Sequence, residues 1–159
     1  MQTLNLNNAE FLPHVCEFVN EGHKVTILAR GNSMRPFIES DRDEVVLTRA
    51  TQYNVGDVVL AEIQPGHYVL HRIDKIQNEH VVLRGDGNVG NTESCSINDL
   101  RAVVCQIKRK GKVWNLQTSK VWKCYSYIWT RTIPLRRLFL ALYRLLWLGQ
   151  IPDRMKRLK

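Results

Sequence analysis

The chain has 159 residues, of which 44% are hydrophobic, and it carries a net charge of +8 at neutral pH. This length supports one well-buried core with an appendage, and the hydrophobic content argues against a disordered chain. Residues 1–106 carry nine basic and fourteen acidic residues, whereas residues 107–159 carry fourteen basic residues and one acidic residue. The C-terminal third therefore has a different partner or role from the rest of the chain.

The first predicted element is a short amphipathic helix over residues 8–19, with Phe11, Val15 and Phe18 on one face. Strand-like segments follow it, rich in β-branched residues and separated by short turns. These strands cover residues 24–30, 44–48, 58–63, 68–76, 80–84, 102–109 and 112–116, and residues 85–94 form a polar loop. Such a series of short strands predicts a mainly β fold, a folded sheet or barrel, for a domain of residues 1–118.

Residues 119–159 differ from this pattern and predict a helical appendage. Tryptophan, leucine and other apolar residues recur over residues 119–150, and four arginines interrupt them. The longest apolar run, residues 138–143, is far shorter than the ~20 residues that span a bilayer. Three roles stay open for this basic amphipathic segment: docking on an anionic membrane surface, packing against the sheet and, least favoured, binding nucleic acid.

The cysteines lie far apart in the sequence, and none forms a Cys-x-x-Cys pair. Their spacing suits neither a structural zinc site nor a disulfide-rich secreted scaffold, so we expect no metal and no other cofactor. The first ten residues are polar and lack the apolar stretch of a secretory signal peptide. Together these features predict a cytoplasmic protein with reduced thiols, bound at most peripherally to a membrane.

Three separated motifs carry the residue types of a nucleophilic site. The first reads Gly-Asn-Ser-Met-Arg-Pro around Ser33, the second is a His-Arg pair at His71, and the third reads Gly-Asp-Gly-Asn around Asp86. A serine hydroxyl is a weak nucleophile until a base takes its proton, and neutral imidazole is the common base near pH 7. A carboxylate can fix the imidazole tautomer. The pattern predicts Ser33 as nucleophile, His71 as general base and Asp86 as the orienting acid.

These motifs, with a Gly-Asp turn before the strand at residues 58–63, resemble the signal peptidase branch of the signal peptidase and LexA-like serine peptidases. The resemblance covers residues 25–112. The usual bacterial enzymes and the LexA-like ones use a lysine base, whereas the endoplasmic reticulum and archaeal kind use a histidine in a His-Arg pair, as in this chain. The resemblance implies the folded sheet of that family and a serine endopeptidase that cleaves signal- or leader-type peptides or preproteins by acyl transfer.

The sequence leaves the third catalytic residue open. Asp86 belongs to the Gly-Asp-x-Asn motif, Glu93 follows shortly after it, and a Ser–His dyad needs no acid. Gly31 stands where many bacterial relatives carry a serine that helps the oxyanion hole, so backbone N–H groups are expected to bind the oxyanion. We therefore expect Gly31, Asn32 and Met34 to line the oxyanion hole and the substrate cleft.

Two other functions also stay open. A degenerate peptidase fold could hold a peptide or a membrane partner without cutting it, and such a protein would keep the sheet but not the chemistry. A LexA-like self-cleaving regulator is disfavoured, because no DNA-binding domain precedes the motifs and histidine replaces lysine. The main prediction is a processing peptidase that works at the cytoplasmic face of a membrane.

Overall fold

The computed structural model describes residues 8–132 and 135–147, and an antiparallel β-sheet is its main feature. Within these residues there are three α-helices: α1 (Asn8–Asn20), α2 (Lys120–Arg131) and α3 (Arg136–Trp147). The strands of the same residues are β1 (Val25–Leu28), β2 (Glu44–Thr48), β3 (Val58–Gln64), β4 (His67–Gln77), β5 (His80–Arg84), β6 (Glu93–Ser96), β7 (Leu100–Arg109) and β8 (Lys112–Asn115). A short 3-10 helix, Ile97–Asp99, joins β6 to β7.

The strand order is β1-β2-β7-β3-β4-β5-β6, and β8 adds to β7. Strand β7 connects the two halves of the sheet, because its first half pairs with β3 and its second half pairs with β2 and β8. Among the described residues β1 and β6 are the two ends of this order, so the sheet is open and does not form a closed barrel. The mainly β fold with an N-terminal helix and C-terminal helices is confirmed.

The two faces of the sheet build two separate cores. On β3, Val58 and Leu60 belong to a core with α1 and β2, whereas Val59 and Ala61 belong to a second core with β4 and β5. Successive side chains of a strand point to opposite faces, so a strand covered on both sides carries no polar face. This burial explains the continuous apolar run with which β3 begins.

Helix α1 packs on the first core through Leu12, Val15 and Val19. Their spacing of three and four residues forms one helical face. The predicted helix is therefore present, but the predicted face is wrong in part, because Phe11 and Phe18 are exposed. The aromatic residues lie beside the buried stripe rather than in it.

The loop between β1 and β2 is anchored at its far end by the buried carboxylate of Asp43. Arg109 donates to both oxygens of Asp43 at 2.8 Å, and the backbone N–H of Glu39 donates to Oδ2 at 2.8 Å. Arg42 also donates to both oxygens at 2.9 Å. Burial alone would raise the pKa of this carboxyl, but these donors outweigh it and lower the pKa to about 2.

Helix α2 contacts Arg72 of β4 and the carbonyl of Gly56, and α3 contacts α2 and the loop between β1 and β2. Ser126 and Trp129 of α2 are buried, as are Arg136 and Leu140 of α3. In the described residues no helix is both long and apolar enough to cross a bilayer. The remainder of the predicted appendage, which is residues 148–159 and the side chain of Trp147, lies outside the described residues.

Candidate active site

Ser33 lies on the loop between β1 and β2, in a tight turn that several contacts fix. Gly31 begins the turn with a φ of +92°, a conformation that residues with a β-carbon rarely adopt. The N–H of Arg35 donates to the carbonyl of Asn32 at 3.2 Å. Met34 is buried in the first core, so the residue after Ser33 ties the turn to the sheet.

Ser33 and His71 line the same small cavity, whose volume is about 150 Å³. Gly31 and Met34 also contribute to its wall, whereas Asn32 does not. A larger cavity, of about 710 Å³, lies between α2 and the segment that connects β2 to β3. The larger cavity includes neither Ser33 nor His71. The candidate site is therefore the smaller cavity.

His71 lies in β4 and is buried. Its Nδ1 atom contacts Oε2 of Glu93 on β6. Burial lowers the pKa of His71 from its ordinary value of 6.5, and the nearby carboxylate of Glu93 opposes the shift without reversing it. The imidazole is therefore neutral near pH 7 and can accept a proton.

The carboxylate beside His71 is that of Glu93, which corrects the expectation that Asp86 takes this place. The sequence predicts a loop over residues 85–94, whereas Glu93 begins β6. Ile73 of β4 pairs with Leu83 of β5, and Leu83 pairs with Glu93. His71 is two residues from Ile73 and shares its face of the sheet, so Glu93 reaches the imidazole across that face.

Asp86 is instead the partner of Arg72. Arg72 donates from Nε to Oδ1 at 2.8 Å and from Nη2 to Oδ2 at 2.7 Å, which is a bidentate pair. Both residues are buried, and Nη1 of Arg72 donates to the carbonyl of Gly56 at 2.7 Å and contacts Ser126. A buried ion pair needs such additional hydrogen bonds, because its charges have left water. The His-Arg and Gly-Asp motifs thus meet through Arg72 and Asp86.

The turn that contains Asp86 packs directly on the backbone of the Ser33 loop. The N–H of Gly87 donates to the carbonyl of Ser33 at 2.7 Å. A β-carbon at Gly85 would lie 2.5 Å from the same oxygen, and one at Gly87 would lie 2.9 Å from the carbonyl of Asn32. These neighbours are backbone atoms, so glycine is needed for the close approach. The buried ion pair fixes the turn, and the turn fixes Ser33.

Helix α2 covers the buried ion pair from outside the sheet. The ring of Tyr125 lies with its centroid 5.4 Å from the guanidinium carbon of Arg72, and it stacks on Phe37 of the Ser33 loop. The hydroxyl of Ser126 donates to the carbonyl of Gly56 at 2.8 Å. Sequence reasoning missed Tyr125 and Ser126, because no local pattern indicates that this helix returns to Arg72.

The reactive groups of the Ser33 turn have no protein partner within residues 8–132 and 135–147. The hydroxyl of Ser33 makes no hydrogen bond there, and the backbone N–H groups of Ser33 and Met34 donate to no other residue. Ser33 and His71 share the cavity without a hydrogen bond between them, and such bonds often form only when substrate is bound. The two N–H groups are available to an incoming oxyanion.

Comparison with known proteins gives no relative: no family model matches the chain, and neither a curated protein nor a solved structure matches it. The resemblance to signal peptidases thus concerns the motifs alone. Function is inferred from the side chains that these motifs bring together.

Proposed function

We propose that this protein is a serine endopeptidase of the signal peptidase type, with Ser33, His71 and Glu93 as its catalytic residues. One observation carries the proposal: a buried, neutral imidazole shares a cavity with a serine on a fixed turn and contacts a carboxylate through Nδ1. Nucleophile, base and orienting acid in this arrangement are the components of acyl transfer. We propose extended signal- or leader-type peptides as the substrates, as the motif resemblance implies.

In the proposed reaction, Oγ of Ser33 attacks the scissile carbonyl carbon while Nε2 of His71 takes the hydroxyl proton. Glu93 holds the ring in the required tautomer from Nδ1 and stabilises the imidazolium that forms. The imidazolium then gives its proton to the leaving amine, and the acyl-enzyme remains on Ser33. Water releases the acyl group with His71 again acting as the base.

Backbone N–H groups are proposed to bind the oxyanion of this reaction. The N–H groups of Ser33 and Met34 lie on the fixed turn and have no other protein acceptor in the described part of the chain. Donors that are already oriented cost no reorganisation when charge develops, which is why such groups contribute strongly to acyl transfer. Their fixed position depends on the hydrogen bond from Gly87 to the carbonyl of Ser33.

The small cavity limits the size of the side chain next to the scissile bond. Apolar atoms from Ala29, Met34, Ile38 and Leu70 line it, and about 150 Å³ is enough for a benzene-sized group at most. Strand β1 is an end of the sheet and leads directly toward Ser33. An extended peptide could therefore pair with this edge and present one small side chain to the cavity.

A digest of a peptide library with the full chain tests the proposal, with Ser33→Ala as the inactive variant. Ser94→Ala serves as the matched control, because Ser94 is an exposed serine on β6. We expect the wild type and the control to cut after small residues and Ser33→Ala to lose at least about 10³-fold in rate. Undiminished cleavage by folded Ser33→Ala would overturn the assignment.

The second candidate function is a peptide-binding protein without cleavage. The observation in its favour is that no hydrogen bond joins Ser33 to His71 in the described residues. The same library decides between the two candidates. Peptides that bind the wild type but remain intact over many hours would select the binding protein.

A further inference from the structure

Helix α3 packs against the protein by one face only. Arg136, Leu140 and Tyr143 lie on this face at helical spacing, and the first two are buried. Arg136 donates to the carbonyl of Trp129 at 3.0 Å, and the hydroxyl of Tyr143 donates to Glu39 at 2.7 Å. The position of α3 on the domain is therefore fixed by polar contacts as well as by burial.

Much of the side of α3 that faces solvent is apolar. Five apolar side chains of α3, and that of Leu135 just before it, are between 44% and 68% exposed. They are Leu135, Leu138, Phe139, Leu142, Leu145 and Leu146. At about 100° per residue they form one continuous arc of roughly 120°, which we name the free face of α3. A contiguous exposed apolar surface of this kind indicates a partner.

Basic side chains lie on another side of α3, beyond the free face. Arg137 and Arg144 are exposed and lie side by side, about 80–100° around the helix from the edge of the free face, and Arg131 is exposed at the end of α2. Neither α2 nor α3 contains an acidic residue. An apolar strip on helices that carry basic and no acidic side chains is complementary to a layer of anionic headgroups above acyl chains.

A second copy of the chain fits this surface less well. A symmetric dimer through the free face would use the same patch on both copies. It would therefore bring together two copies of the basic helices α2 and α3, which contain no acidic residue. Like charges so placed repel each other, whereas lipid phosphates attract them.

We propose that the free face of α3 docks in the plane of an anionic membrane surface, with its leucines and Phe139 at the boundary between headgroups and acyl chains. The twelve residues of α3 span about 18 Å, too short for the hydrocarbon core of about 30 Å, so the helix lies in the interface. The basic side chains of α2 and α3 then attract the anionic headgroups. This inference goes beyond the proposed peptidase function and does not depend on it.

Flotation of the full chain with vesicles tests the inference. Vesicles of phosphatidylglycerol are compared with vesicles of phosphatidylcholine at low salt. We expect the wild type to float with the anionic vesicles only, and Ser33→Ala to do the same. The double variant Leu138→Glu/Leu142→Glu should bind at least about tenfold more weakly, because its new charges enter the apolar boundary. Val113→Glu on β8 is the matched control, since Val113 is equally exposed outside the free face.

A second pair of substitutions tests the exposed basic side chains of α3 without altering the apolar arc. Arg137→Gln and Arg144→Gln should each weaken binding to anionic vesicles about fivefold, and added salt should weaken the wild type. A wild type that stays unbound to anionic vesicles at low salt overturns the inference. Equal flotation of the Leu138→Glu/Leu142→Glu variant also overturns it, as does a dimer in light scattering that Leu142→Glu disperses.

Discussion

At the scale of single residues, the protonation of His71 decides when the proposed site is active. Burial outweighs the nearby carboxylate of Glu93 and lowers the pKa of His71 below its ordinary 6.5. A lowered pKa keeps the imidazole neutral to more acidic pH. We therefore expect kcat/KM for peptide cleavage to stay nearly constant from about pH 8 down to about pH 6.5 and to fall at lower pH. An acidic limb with its midpoint above pH 6.5 would contradict this reading of the site.

The contact between His71 and Glu93 makes a second prediction. Glu93 raises the pKa of His71 against the effect of burial, so Glu93→Gln should lower that pKa further and move the acidic limb to lower pH. The maximal rate should fall about 10²- to 10⁴-fold, because the imidazolium loses its stabilising charge. The pH profile of cleavage measures both effects. Glu79→Gln, at an exposed glutamate, is the control, and an unmoved limb in Glu93→Gln would indicate a Ser–His dyad.

Asp86→Asn should act mainly on stability. Asp86 also raises the pKa of His71, less strongly than Glu93 does, so the acidic limb should move slightly to lower pH as well. The substitution leaves the buried guanidinium of Arg72 without its bidentate carboxylate, and breaking such a pair typically costs about 3–5 kcal/mol. Urea unfolding measures the loss, and activity should fall with it because the turn at residues 85–87 supports Ser33. A fully stable Asp86→Asn protein would show that Asp86 is not needed for this support.

At the scale of elements, the strands that the sequence predicts are those with alternating or continuous apolar residues. Strand β6 reads Glu-Ser-Cys-Ser, and its one buried residue is Cys95. A strand of four mostly polar residues has no periodicity that separates it from a loop. Since Glu93 begins this strand, the pairing of Glu93 with His71 could not be predicted from local pattern. The motif containing Asp86 was the stronger sequence signal.

The loop that carries Ser33 shows what a motif can indicate and what it leaves out. The sequence indicated Ser33 as the candidate nucleophile together with Gly31, because both belong to one short motif. The anchor of the loop is Asp43, which Arg109 of β7 holds from 66 positions further along the chain. Contacts of this kind follow from strand pairing and have no signature near either residue.

At the scale of the whole molecule, the segments before and after residue 118 differ in composition, but they contact each other. The hydrophobic and charge patterns correctly indicated the helical C-terminal segment. However, Tyr125 and Ser126 of α2 lie against Arg72, and Tyr143 of α3 donates to Glu39. The sequence does not predict which side of these helices is buried, because apolar residues occur on two sides of the helix. In α3 one of the most deeply buried residues is an arginine, Arg136.

The central claim is that Ser33 and His71 act as one catalytic unit, and a double-mutant cycle on peptide cleavage tests it most directly. The rates of Ser33→Ala, His71→Ala and the double variant are measured on one peptide, with folding checked by circular dichroism. When two residues act as one unit, removing either abolishes almost all of the rate enhancement. We therefore expect the cleavage rate to fall at least about 10³-fold in each single variant and no further in the double variant. Losses that multiply in the double variant, or cleavage that survives in either single variant, would contradict the claim.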